Sequence, residues 1–146
     1  MYYKLKIYGI NMIWELYGVM QYNVAIIGIE FGEHFNHPVY QNNLPKSIKS
    51  LKFGNLFQKE INDLPHTVKI LELGHWFNEK INNLPMFLKS LTLNYHFNKS
   101  IDNLPNSLKY LKLGYSFNKP IITLPKSLKT LILGGDFNQP INHLPT

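Results

Sequence analysis

Leu104-Pro-Asn-Ser-Leu-Lys-Tyr-Leu-Lys-Leu-Gly-Tyr-Ser-Phe-Asn-Lys-Pro-Ile121 is one copy of a pattern that runs through most of the chain. Leu-Pro stands at 44–45, 64–65, 84–85, 104–105, 124–125 and 144–145, a constant spacing of 20 residues. A Phe followed by Asn or Gln stands at Phe35, Phe57, Phe77, Phe97, Phe117 and Phe137, at one spacing of 22 and then spacings of 20. The longer spacing comes from two extra residues within Val39-Tyr-Gln-Asn-Asn-Leu44. A period of 20 is too short for two helices with their connections. It suits one short strand with a tight return.

The strand is the Leu-x-Leu unit: Leu51-Lys-Phe53, Leu71-Glu-Leu73, Leu91-Thr-Leu93, Leu111-Lys-Leu113 and Leu131-Ile-Leu133, with Ile29-Glu-Phe31 as the first clear copy. Alternation puts the two flanking residues on one face and the middle residue on the other. One strand per turn, always in the same direction, predicts a parallel sheet with strands about 4.8 Å apart. The expected fold is a β-solenoid of leucine-rich-repeat type. About six turns of roughly 20 residues would fill residues 26–146, with largely irregular returns. Residues 1–25 break the period and read as an N-terminal cap or degenerate first turn, with Leu5-Lys-Ile7 as a first strand.

The columns down the turns assign roles. Ile48/Val68/Leu88/Leu108/Leu128, the two strand columns, the Phe column, Ile61/Ile81/Ile101/Ile121/Ile141 and the Leu of Leu-Pro are expected to point inward. Pro after the inward Leu fixes φ and holds that Leu extended, as a corner requires. Gly32, Gly54, Gly74, Gly114 and Gly134 end the strands, where a positive φ or a tight bend is expected. Asn94 takes that place once, as a residue tolerant of left-handed backbone. Asn36, Asn78, Asn98, Asn118 and Asn138, with Gln58, form a column of amides that can satisfy backbone groups left open by the turn. Asn98-Lys-Ser100 is formally a glycosylation sequon, but a laddered Asn is not expected to be modified.

Composition excludes several classes. Among 146 residues there is no Cys, so neither a disulfide framework nor a thiolate metal site is expected. All fifteen basic residues are Lys, against nine acidic ones, for a formal charge of +6. Without Arg there is no bidentate fork for phosphate or guanine, so nucleic acid is not an expected partner. No apolar run is long enough to cross a membrane as a helix, and no signal-peptide pattern opens the chain. His34-x-x-His37 and His143 fall in different columns without carboxylates at ligand spacing, so no metal and no cofactor is expected. No nucleophile–base set stands out, which argues against an enzyme.

Phe-Asn-x-Pro-Ile at Phe117–Ile121 and Phe137–Ile141, followed by Leu-Pro-x-Ser-Leu-Lys-x-Leu-x-Leu-Gly, resembles the FNIP repeat. The resemblance covers about residues 24–146. It implies a relative of leucine-rich repeats of the kind found in amoebae and in the giant DNA viruses that infect them. Many such proteins carry an N-terminal F-box and serve as substrate receptors of ubiquitin ligases. Residues 1–25 lack an F-box pattern, most turns have 20 residues where the family's usual repeat is nearer 22, and Glu60, Lys80 and Ser100 replace the Pro. The resemblance implies an intracellular, cytoplasmic protein, in the host cytoplasm if the source is viral.

Three surfaces are candidates for function. The first is the variable strand face, with Glu72, Tyr110 and Lys112, continued past the strands by His75, Trp76, Tyr95, His96 and Tyr115. Solenoids bind partners on such faces, and Trp and Tyr are common anchors. A non-enzymatic protein–protein interaction module is the leading expectation, its partner a host protein if the source is viral. The alternative placement for Trp76, like Leu56 in its column, is folded over the corner as core. The second surface is the lysine column Lys49, Lys69, Lys89, Lys109 and Lys129, which suits an acidic partner or polyanion, or simply solvates the corner. The third is the C-terminal end: the sequence stops mid-repeat at Leu144-Pro-Thr146, and the open edge of the last strand, Leu131-Ile-Leu133, favours self-assembly into a homo-oligomer.

Overall fold

The computed structural model describes residues 2–7 and 25–141. Seven strands form one parallel sheet in sequence order: β1 (Tyr2–Ile7), β2 (Ala25–Phe31), β3 (Ser50–Lys52), β4 (Ile70–Leu73), β5 (Ser90–Leu93), β6 (Tyr110–Lys112) and β7 (Thr130–Ile132). The strand read at Leu5-Lys-Ile7 is part of β1, which pairs Leu5 with Ile29 and Ile7 with Phe31. The rest of the cap assignment, residues 8–24, lies outside the described residues, as does Leu144-Pro-Thr146. From β2 onward the register advances by one repeat per turn, Leu51 against Leu71, Leu71 against Leu91 and Leu91 against Leu111.

Each return is built from two tight turns. Pro at the first lets Ile48, Val68, Leu88, Leu108 and Leu128 donate their N–H to the Pro carbonyl three residues back. At the second, Phe57, Phe77, Phe117 and Phe137 donate to the Gly three residues back, and Phe97 donates to Asn94. The two extra residues near Val39 are absorbed by a short 3₁₀ turn at Gln41–Asn43. At two of the three replaced Pro positions, Glu60 and Ser100, a local side-chain bond is made. Asn62 Nδ2 donates to Glu60 Oε2, and Ser100 Oγ donates to Asp102, so side chains hold the bend that the ring would have stiffened.

The core is a ribbon of apolar columns. Leu71, Leu91, Leu111, Val68, Leu88 and Leu108 have no exposed surface. Six Phe rings stack along the axis at 5.9–6.2 Å and nearly parallel, an offset arrangement favoured by the ring quadrupole. The last turn departs from the inward expectation. Leu128, Leu131, Leu133 and Phe137 are half-buried and Ile141 is exposed, because no further turn among the described residues covers them.

The strand-ending glycines do open a tight bend, as one of the two sequence readings has it, but positive φ is not the reason they are glycine. None of Gly54, Gly74, Gly114 and Gly134 adopts left-handed backbone. A Cβ at Gly74 would lie 1.9 Å from the Gly54 carbonyl oxygen, and one at Gly114 1.9 Å from that of Asn94. The column is glycine because successive turns touch backbone to backbone there.

The amide column bridges turns. Asn36 Oδ1 accepts from the Gln58 N–H at 2.9 Å, and Asn78 Oδ1 from the Asn98 N–H at 2.9 Å. Asn98 and Asn118 accept from the next N–H in turn at 3.0 Å, and Asn118 also accepts from Gln139 Nε2. No such bond links Gln58 forward to Asn78. Asn98→Ala therefore leaves the Asn118 N–H without its acceptor, and about 1–3 kcal/mol of stability should be lost. Gln58→Ala should cost under about 0.5 kcal/mol. Thermal unfolding of the two variants checks the contrast.

Candidate functional site

The middle residues of the Gly-x-x-Phe turns cannot enter the core, because the turn points them outward just past the C-terminal ends of the strands. In three consecutive turns those positions hold rings: His75 and Trp76, Tyr95 and His96, and Tyr115 beside Ser116. Backbone bonds between turns keep them in register. His96 N–H donates to the His75 carbonyl at 3.0 Å, and Ser116 N–H to the Tyr95 carbonyl at 2.9 Å.

Two stacks result. His75, Tyr95 and Tyr115 lie face to face with centroids 4.8 and 5.0 Å apart and planes within 15° and 7°. Trp76 and His96 stack at 4.0 Å and 13°. Edge contacts join the stacks, His75 to His96 at 5.3 Å and Tyr95 to His96 at 4.9 Å. Trp76 is 47% exposed, so it is a surface ring, and Leu56 in the same column is exposed too. Tyr95 and Tyr115 are 40% and 49% exposed. Scattered exposed apolar residues are ordinary, but a contiguous platform is the kind of surface that marks an interaction site.

The other sequence candidates lie on the sheet face. Glu72 belongs to a chain of alternating charge across four strands: Lys6–Glu30 at 3.7 Å, Glu30–Lys52 at 3.9 Å and Lys52–Glu72 at 3.6 Å. These pairs are well exposed, so they contribute little to stability. They do balance Glu30 and Glu72 against Lys6 and Lys52 on the β1–β4 half of the face, which leaves Lys4 as its excess charge. A depression of about 430 Å³ lies there over Gly28 and Ser50, walled by Lys4, Ile70 and Glu72. On the other half, Tyr110 and Lys112 are half-buried on β6 with no carboxylate partner among the described residues. Trp76, Tyr95 and Tyr115 are thus brought together, with His75 and His96 completing the cluster, while Glu72, Tyr110 and Lys112 flank it on the strand face.

The lysine column follows the opposite edge of the sheet, just before the strands. Lys69, Lys89, Lys109 and Lys129 each donate their backbone N–H to the preceding lysine's carbonyl at 2.8 Å. Lys89 is half-buried and the other four are exposed. Among the described residues, no three His, Cys, Asp or Glu side chains lie close enough to share a metal ion, and no helix is long and apolar enough to cross a membrane.

A parallel sheet of one strand per turn, closed by two tight turns and backed by a Phe stack, defines a repeat protein with a leucine-rich-repeat-like fold. The FNIP-repeat model matches residues 24–56, 35–75, 77–116, 97–123 and 117–145, and the chain belongs to the FNIP-repeat family. It is similar to the crystal structure of CroV588, a circular leucine-rich-repeat protein of a giant virus, with a TM-score of 0.72 and 34% identity over 84% of this chain and 22% of that one. The chain therefore spans about a fifth of that protein's length. No curated protein matches it. Solenoids of this kind are repeat scaffolds and generally not enzymes.

Proposed function

We propose that the chain is a non-enzymatic protein–protein interaction module whose partner lies across the outward strand face and anchors on the ring cluster at its C-terminal edge. The observation that carries this reading is the cluster itself, five stacked rings on consecutive turns, with Trp76, Tyr95 and Tyr115 exposed and His75 and His96 half-buried among them. Rings already held by their neighbours lose little conformational freedom when a partner covers them. Trp and Tyr also contribute most per residue at protein interfaces. Glu72, Tyr110 and Lys112 supply a polar margin that would set orientation rather than strength. The likeness to a giant-virus protein makes a protein of the infected host the first partner to look for.

The test uses paired variants. Trp76→Ala with Tyr95→Ala should weaken capture of a bound protein by at least about thirtyfold, which corresponds to losing one interface hot spot. Lys109→Ala, on the opposite edge, should leave capture unchanged. Retention of every captured protein by the double variant would rule this face out.

A further inference from the structure

We propose that the corner ahead of β3–β5 is a binding site for a phosphomonoester carried on an aromatic stem. The residue two after each Leu-Pro pair's Pro decides this corner. In three turns it is a Ser that ties itself to the turn before. Ser47 Oγ donates to the Ile26 carbonyl at 2.8 Å. Ser107 Oγ reaches the Met86 and Leu88 carbonyls at 2.9 and 2.6 Å, and Ser127 Oγ reaches those of Asn106 and Leu108 at 2.7 and 2.6 Å.

Two adjacent turns depart from this rule. Thr67 Oγ1 is buried and makes no hydrogen bond, and it is the one such side-chain atom among the described residues. Phe87 stands where a small hydroxyl would serve, and the residue is 53% exposed. Between them lies a depression of about 330 Å³, lined by Lys49, His66, Thr67, Lys69, Phe87 and Lys89. That volume falls at the lower end of the range for small-molecule sites, about 300–1,000 Å³.

Charge selects the ligand. Lys49, Lys69 and Lys89 sit on consecutive turns and line the same depression, and no carboxylate among the described residues pairs with any of them. Lys52, by contrast, has Glu30 and Glu72 as partners on the sheet face. The walls are mostly apolar, so these lysines line the depression with their stems. Three ammonium groups without a carboxylate partner on consecutive turns still favour a multiply charged anion at its rim, where lysine engages phosphate as a point charge. Phe87, exposed beside them, offers a ring face to whatever carries the phosphate. Lys109 and Lys129 share the column but lie outside the depression.

The probe is phenyl phosphate, titrated into the full chain at about pH 7.5, above the second phosphate pKa of about 6. NMR amide shifts report its binding. Inorganic phosphate and phenol are the two halves of the probe. Shifts should centre on residues 66–69 and 87–89. Phenyl phosphate should bind roughly tenfold tighter than inorganic phosphate, with phenol not binding. Phe87→Ser restores the residue found at 47, 107 and 127, so it should keep the fold while lowering phenyl phosphate to the level of inorganic phosphate. Lys69→Gln should weaken both phosphates roughly tenfold, whereas Lys129→Gln should change neither. A phosphotyrosyl peptide and adenosine monophosphate, as competitors, separate a protein-borne from a free source, and displacement by either supports the site. Equal binding of phenyl and inorganic phosphate, no effect of Phe87→Ser, equal effects of the two lysine variants, or failure of both competitors would overturn it.

Discussion

Gly74→Ala is expected to cost at least about 3 kcal/mol, at the upper end of overpacking effects. The added Cβ would meet the Gly54 carbonyl oxygen at 1.9 Å, its carbon at 2.5 Å and the Asn55 Cα at 2.9 Å. All three are backbone atoms, so no side chain can rotate away. Relief requires two turns to move apart. That movement strains the bond from the Trp76 N–H to the Asn55 carbonyl and the pairing of β3 with β4. For a chain of this size each kcal/mol moves the thermal midpoint by about 2–4 °C, so a fall of roughly 10 °C should be seen by calorimetry. Gly135→Ala is the control. Its Cβ would meet the Tyr115 ring at 2.6 Å, and a surface ring can swing aside. That variant should lose no more than about 1 kcal/mol. Equal losses at the two positions would show that the glycine column is not a backbone contact between turns. The same experiment bears on the ring cluster, because Gly74 opens the turn that carries His75 and Trp76.

The glycine column also shows where reading the sequence stops. A Gly required for positive φ and a Gly required for close approach look alike in a sequence, because both report only a missing Cβ. The distance between successive turns decides which applies, and that distance belongs to the assembled solenoid. Asn94 fits neither pure case. It carries a Cβ in the tight column, and there the sheet is longer by one pair, Leu73 with Leu93, while Asn94 Nδ2 donates to the Leu73 carbonyl at 2.8 Å. The strands themselves were legible because Leu-x-Leu at a fixed period leaves one register that buries both Leu columns. The ring cluster was legible for the same reason. Residues 20 apart must be neighbours, so His75, Tyr95 and Tyr115 announce a stack. Whether Trp76 lay in the core or outside was not decided by its column, since Leu56 precedes it there. The turn settles the matter by directing its middle residues to solvent. The partner of Glu72 was hidden because Lys52, which also meets Glu30, reaches it through a long, flexible side chain. The corner at Thr67 and Phe87 did leave a signal, as two consecutive departures from Ser in one column.

Phe97→Ala should be the most damaging substitution in the core. The ring is fully buried, and Phe77 and Phe117 lie 6.2 Å away on either side with planes within 7°. Those neighbours cannot close the gap, because each is held by its own turn and by the amide ladder beside it. Removing a buried Phe costs about 3–5 kcal/mol when the site cannot collapse. The solenoid makes that loss consequential. Its stability is a sum of weak turns and the interfaces between them, and a mid-stack ring serves two interfaces at once. Phe137, already half-buried and flanked by a described ring on one side, serves one, so Phe137→Ala should cost less than half as much. The two variants should also differ in kind. A weakened central interface lets the turns on either side unfold separately, so urea denaturation of Phe97→Ala should give a lower slope as well as a lower midpoint. Phe137→Ala should shift the midpoint alone. A full, unchanged slope in Phe97→Ala would mean that the stack unfolds as one unit despite the gap. Tyr95 and His96 ride on the turn that Phe97 closes. Loss of partner binding in this variant would therefore follow from loss of the platform, whereas loss in the Trp76 and Tyr95 variant, whose core is intact, would report the contact itself.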